Sequence, residues 1–173
     1  MEKRIALTGA GGFVGGSILV QAPDDIRLHA LSRGVPLTSK PHLEWHTLDT
    51  LNQGDLMEAL HNIHPDAILH VAAIAAIDPC ETDHARADLV NTTLTEWIVE
   101  YCGNNDCRLV YVSTDNVFDG EKGRYVESDE TNPVNYYGQT KLASEEAVRQ
   151  LADNWVIARV ALVMGLPMLN TGN

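Results

Sequence analysis

The sequence predicts an α/β fold, a mostly parallel sheet with helices on both faces. Three observations predict it. Short apolar runs alternate with helical patterns almost throughout the chain, the order that β-α-β units produce. Two runs, Asp66–Ala73 and Arg108–Val112, are nearly continuous in apolar residues, as central strands buried on both faces are. The first run, Ile5-Ala6-Leu7-Thr8, is followed by a glycine cluster from Gly9 to Gly16 and then by Ser17-Ile18-Leu19-Val20. That order reads as strand, tight turn and helix.

The remaining elements follow in order. Pro23-Asp24-Asp25 ends the first helix, and Ile26 to Leu31 alternates as a second strand. A short third strand fits Leu43 to Leu48. Asp55 to Ile63 is predicted helical, with Leu56, Leu60 and Ile63 on one face. A long helix is expected from Ala85 to Tyr101, another from Asn135 to Ala152, and a last strand from Trp155 to Val160. No repeat or low-complexity segment interrupts the pattern.

Size and charge bound the function. A chain of 173 residues holds one domain with a sizeable core. Asp and Glu total 24 against 12 Lys and Arg, a formal charge of -12. A nucleic-acid surface needs a concentrated positive patch, so that class is not expected. One phosphate at a helix N-terminus remains compatible with an acidic chain. The cysteines, Cys80, Cys102 and Cys107, form neither a disulfide framework nor a metal signature. The chain opens with no signal peptide or membrane span, so a reducing, cytoplasmic setting is expected.

The spacing Gly9-x-x-Gly12-x-x-Gly15, with Phe13 and Val14 inside it, lies between the first strand and the first helix. Gly9 permits the turn, Gly12 lets the backbone approach a pyrophosphate, and Gly15 lets the helix pack against the sheet. An ordinary glycine turn has the same composition, but this one stands where dinucleotide binding requires it. The expected fold is therefore the doubly wound Rossmann type. Ser32-Arg33 ends the second strand, where a carboxylate usually holds a ribose 2'-hydroxyl and an arginine meets a 2'-phosphate. No Asp or Glu ends that strand, so NADP(H) is the preferred cofactor, with NAD(H) as the alternative. Arg33 as a solvated surface residue is the competing reading. Asp49 ends the third strand. It is read either as an acceptor for the adenine amino group or as a plain loop aspartate.

Tyr137-Gly138-Gln139-Thr140-Lys141 puts Tyr137 and Lys141 on one helix face. A lysine ammonium beside a phenol favours the phenolate and lowers its pKa. Thr114, after the fifth strand, is a hydrogen-bond partner for a substrate oxygen. The three suit proton donation to a carbonyl under reduction; a plain surface pair is the alternative for Tyr137 and Lys141. Asn91 interrupts a predicted helix, where it bends the helix locally, holds a water, or stands as a tolerated polar residue. The seven histidines show no recognised ligand spacing, so no metal site is expected. His29 and His70 are read as packed or locally hydrogen-bonded strand residues.

These residues carry a family resemblance. The chain resembles the extended short-chain dehydrogenases/reductases, and among them the dTDP-4-dehydrorhamnose reductase family. Tyr111-Val112-Ser113-Thr114-Asp115-Asn116-Val117-Phe118-Asp119-Gly120 is similar to that family's signature. Asn135 to Glu145 follows at the expected distance, and Ala76-Ile77-Asp78 and the Glu81 segment leading to Asn91 also fit. The resemblance implies that Thr114, Tyr137 and Lys141 are catalytic, with Tyr137 as proton donor and Lys141 on the nicotinamide ribose. It implies a structural role for Asn91, an adenine contact for Asp49, substrate positioning by Asp115, and cofactor lining by Ala72 and Ala73. Val71 stands where the family usually has asparagine, an aliphatic or small residue around Ile74 and Ala75 replaces an aromatic common in the family, and Asn116 stands where the signature usually has tyrosine.

The resemblance implies a sugar-nucleotide substrate and NADP(H)-dependent reduction of its carbonyl. It is compatible with a homodimer and implies neither a membrane nor a nucleic-acid partner. Two other functions share the pattern: a sugar-nucleotide epimerase or dehydratase, and a non-catalytic cofactor-binding subunit similar to the methionine adenosyltransferase beta subunit. Residues 1–160 are expected to form the cofactor domain. Residues 161–173 are expected to connect toward a substrate-binding region absent from this chain.

Overall fold

The structure, a computed structural model, describes residues 2–165. Six strands form its sheet: β1 (Lys3–Thr8), β2 (Ile26–Ser32), β3 (Leu43–Thr47), β4 (Ala67–His70), β5 (Arg108–Thr114) and β6 (Trp155–Val160). Their order is β3-β2-β1-β4-β5-β6, with every neighbouring pair parallel. The chain winds outward from β1 in one direction and from β4 in the other. The order therefore reverses between β1 and β4, and ligands of such sheets bind beyond the strand ends at that point.

The helices are α1 (Phe13–Gln21), α2 (Gln53–Ile63), α3 (Ile77–Thr82), α4 (His84–Ala87), α5 (Leu94–Asn105) and α6 (Tyr136–Val148). The α2 helix shows how local chemistry sets an element. Asn52 caps it by accepting from the Asp55 amide, Leu56, Leu60 and Ile63 face inward, and His64 closes it in a left-handed conformation before Pro65. With Leu94, Ile98 and Tyr101 of α5, these side chains pack on Ala6, Leu31, Ile68, Leu109 and Tyr111 of the sheet. On the opposite face, Leu19 of α1 packs with Leu7, Leu28 and Ala30.

Helices lie on both faces, as expected; three expectations of element bounds change, and the cover of the two faces is uneven. The first helix begins at Phe13 rather than Ser17, because Gly15 and Gly16 are helical and buried. The predicted strand Asp66–Ala73 narrows to β4, and residues 71–76 leave the sheet at the switch point. The expected helix Ala85–Tyr101 is broken by a wider π-helical turn over Asp88–Thr93. There the Asn91 carbonyl accepts from the Thr95 and Ser144 hydroxyls at 2.6 and 2.7 Å, in competition with the regular helical ladder. Finally, helices cover the two faces unequally. Leu69 and Val110 remain half-buried and Val156 exposed, on a face where no described helix overlies β5 and β6. No described helix is long and apolar enough to cross a membrane.

His70 links the sheet to α5 and is completely buried. Thr95 already donates to Asn91, so its hydroxyl accepts from His70 Nε2 at 3.0 Å; His70 Nδ1 is then the acceptor for Thr8 Oγ1 at 2.6 Å. Burial, and secondarily the charge of Lys141, pulls the imidazole pKa down from 6.5 to about 3. The unfolded chain therefore takes up a proton that the folded one refuses. His70's contribution is complete above pH 6.5 and is lost progressively below it. Between pH 6.5 and 4.5 the fold is expected to lose about 2–3 kcal/mol from this residue. Burial also lowers the His29 pKa, which adds in the same direction. Denaturant titrations across that window check it: the slope with pH should flatten in His70→Gln, and an unchanged slope would assign the effect elsewhere.

Candidate active site

Gly9 has φ +71°, and a side chain there would meet the Ala72 backbone nitrogen at 2.7 Å. Gly15 lies under the same turn, where a Cβ would sit 2.2 Å from the Gly9 carbonyl oxygen. Both positions require glycine, and together they draw the start of α1 against the ends of β1 and β4. The first turn of α1 carries no acidic residue and no side-chain cap. Its backbone N–H groups lack intrahelical partners, as in any first turn, so the positive end of the helix is open to an anion. These features fit a dinucleotide pyrophosphate.

Two clefts meet at this turn and share Gly9, Gly12, Val71 and Ala73. One, of about 550 Å³, runs past Ser32, Arg33, Thr50, Ala72 and Arg86. The other, of about 630 Å³, runs past Phe13, Val14, Gly15 and then Thr114, Asp115, Tyr137 and Lys141. The fold thus sets the glycine turn where the two clefts join, with Ser32 and Arg33 toward one end of the trough and Thr114, Tyr137 and Lys141 toward the other.

At the second end, Asn135 caps α6 by accepting from the Gly138 amide at 2.7 Å. The Glu81 carboxylate accepts from the Tyr136 amide at 2.7 Å. These contacts fix the turn that presents Tyr137. Thr114 donates to Asp115 at 3.2 Å and accepts from the Asn116 side chain at 3.1 Å. Asn116 in turn accepts from Asn135 at 3.1 Å, so one side chain ties Thr114 to the cap of the Tyr137 helix.

The electrostatics differ from the expectation in one respect. Burial raises the Tyr137 pKa above the ordinary phenol value, and the Thr114 hydroxyl only partly opposes it. Lys141 is not the source of any lowering. Its ammonium donates to the Val112 carbonyl at 2.8 Å and lies 4.1 Å from the centre of the Tyr111 ring. Burial brings the Lys141 pKa down to about 7, against a raising influence from Glu145.

The family described as RmlD substrate binding domain matches residues 3–171. The chain belongs to this family. Among its relatives, a dTDP-4-dehydrorhamnose reductase of Aggregatibacter actinomycetemcomitans is 29% identical over 94% of this chain and 52% of its own length. A methionine adenosyltransferase 2 subunit beta of Xenopus laevis is 30% identical over 95% of this chain and 48% of its own. A dTDP-4-dehydrorhamnose reductase of Bacillus anthracis, solved in complex with NADP, superposes with a TM-score of 0.81 at 26% identity, covering 93% of this chain and 54% of that one. The chain spans about half the length of the curated relatives it matches.

Within this RmlD-family chain, two predicted residues lie away from the trough. Asp49 does not line either cleft; its carboxylate accepts from the Leu51 amide at 3.1 Å, the contact of a local turn. Asn91 is buried behind the site, where its side chain bonds both the amide and the carbonyl of Ile74 and reaches Thr140 on α6 at 3.0 Å. It positions the loop after β4 against α6 and does not face the trough. Three contributors escape the sequence reading. Arg86 enters the first cleft from α4, and its place more than fifty residues after Arg33 leaves no local signal. Asn116 reads only as a departure from the family signature. Glu145, completely buried, collects Ser113, Arg149 and Arg159 behind Lys141.

Proposed function

We propose that this chain is the cofactor-binding and proton-donating part of an NADP(H)-dependent reductase acting on a sugar-nucleotide carbonyl. The observation that carries this reading is the single trough with Arg33 and Arg86 at one end and Thr114, Tyr137 and Lys141 at the other. Residues 1–160 act as the cofactor domain. The proposed connection, 161–173, is described only to residue 165, and Ala161, Leu162 and Val163 line the reacting cleft.

In this reading the first-turn amides of α1 hold the pyrophosphate, and Ser32, Arg33 and Arg86 hold the 2'-phosphate. The bound cofactor supplies the hydride. Thr114 turns its one hydroxyl proton from Asp115 to the substrate oxygen and orients it. Tyr137 gives that oxygen its proton, and its raised pKa keeps the phenol protonated until the oxygen becomes basic. Lys141 turns from the Val112 carbonyl to a ribose hydroxyl, where its ammonium stabilises the phenolate left behind. Asp115, beside Thr114, helps to position the substrate.

The cofactor end is tested by titrating the protein with NADPH and NADH. Arg33→Ala is expected to weaken NADPH binding by roughly 10- to 100-fold, the range for loss of a charge-assisted hydrogen bond, with NADH nearly unchanged. Equal losses for both cofactors would remove the 2'-phosphate role. The similarity to the Xenopus subunit supports a second reading, cofactor binding without turnover. Oxidation of NADPH that depends on an added sugar-nucleotide carbonyl separates the two.

A further inference from the structure

We infer that His29, Glu44 and His46 form a binding site for a divalent first-row transition metal ion, with zinc as the natural occupant. The sequence shows no ligand spacing because the three residues come from two strands. Parallel pairing of β2 and β3 sets His29 opposite Glu44, and the two-residue strand period returns His46 to the same face. The ligand atoms of all three lie within 4.8 Å of one another.

The individual separations suit one ion. His29 Nδ1 and His46 Nε2 are 3.0 Å apart; of the Glu44 carboxylate, Oε2 lies 3.7 Å from the first and Oε1 3.8 Å from the second. Tetrahedral zinc with bonds of about 2.0–2.2 Å separates its ligands by about 3.4 Å. The three distances bracket that value, and modest ring and carboxylate rotations equalise them. Two imidazoles and one carboxylate select a borderline ion such as Zn²⁺ over Mg²⁺ or Ca²⁺, which take oxygen ligands. The fourth position falls to water.

Burial grades in the sense a site requires. The His29 side chain is 6% exposed and forms the floor; His46 is 24% exposed, and Glu44, at 56%, faces the entry. Both imidazoles stand on hydrogen-bonded strands, which hold them better than loops would. Ligation through Nδ1 puts the His29 proton on Nε2, a buried atom with no partner among the described residues. Lack of such an outer partner typically weakens a site by about 10- to 100-fold, so the ion is expected to exchange readily. Because β3 is the edge strand of the sheet, the ion would staple it to β2. None of the three residues lines either cleft, so occupancy reads out independently of turnover.

The test is titration of the metal-stripped full chain with Co²⁺, followed by visible absorption and competition with Zn²⁺. A tetrahedral cobalt band displaced by zinc is expected, with a rise in melting temperature on zinc addition. Glu44→Gln, at an exposed position, should leave the fold intact and weaken binding at least about tenfold. His46→Ala should abolish the band, and His64→Ala, at an exposed helix end, should preserve it. No cobalt band in the folded protein overturns the site. So does a band that survives Glu44→Gln at full affinity, or one with thiolate character from the cysteines.

Discussion

Tyr137→Phe is expected to lower carbonyl reduction by about 10²- to 10⁴-fold while leaving NADPH affinity nearly unchanged. The substitution removes one hydroxyl and keeps the ring packed against Cys80 and Ala87. The loss should therefore fall on turnover and spare the cofactor end, which lies across the glycine turn. Initial rates of NADPH oxidation, in a preparation that turns over a sugar-nucleotide carbonyl, measure the first quantity; direct titration measures the second. A rate close to the unmodified protein's would exclude Tyr137 as donor. A loss confined to NADPH affinity would instead make it a cofactor contact.

Glu145→Ala is expected to destabilise the fold by about 3–5 kcal/mol, the cost of leaving a buried charge without its partner. Glu145 is fully buried and accepts from Ser113 at 2.6 Å, from Arg159 at 2.9 and 2.7 Å, and from Arg149 at 2.8 Å. Burial alone would raise its pKa. The hydrogen bonds from Arg159, Ser113 and Arg149 outweigh that and hold it below the ordinary carboxylate value. Arg159 is the partner most exposed to the loss, because its side chain is only 13% accessible. Denaturant unfolding of Glu145→Ala, Arg159→Met and the pair Glu145→Leu/Arg159→Met makes the comparison. The double variant should recover much of the loss, since an apolar pair leaves no charge unpaired. A loss below about 1 kcal/mol in Glu145→Ala would mean that water reaches the carboxylate.

The cofactor end is largely legible in the amino-acid sequence. Gly9 and Gly15 announce themselves because a turn and a close helix approach each leave a residue with no Cβ as the only fit. Tyr137 and Lys141 are legible as a pair because a helix converts a four-residue spacing into one face. Their electrostatic relation is not. Which way a flexible ammonium points depends on Val112 and Tyr111, residues of a strand some thirty positions earlier in the chain. Asn91 is legible as a disturbance of a helix, but not as the clamp between the loop at Ile74 and Thr140.

The sequence by itself determined the order of the strands and main helices, the glycine turn and much of the chemistry available at each end of the trough. Those depend on periodicities of two and about 3.6 residues and on glycine's missing side chain, all local properties of the chain. Tertiary structure alone decided that Arg86 joins Arg33, that Asn116 ties Thr114 to the α6 cap, that Glu145 gathers two arginines, and that His29 meets Glu44 and His46. Each of those contacts depends on strand register or helix packing between distant segments. Register and packing are set by burial of the whole sheet, which no short window of sequence contains.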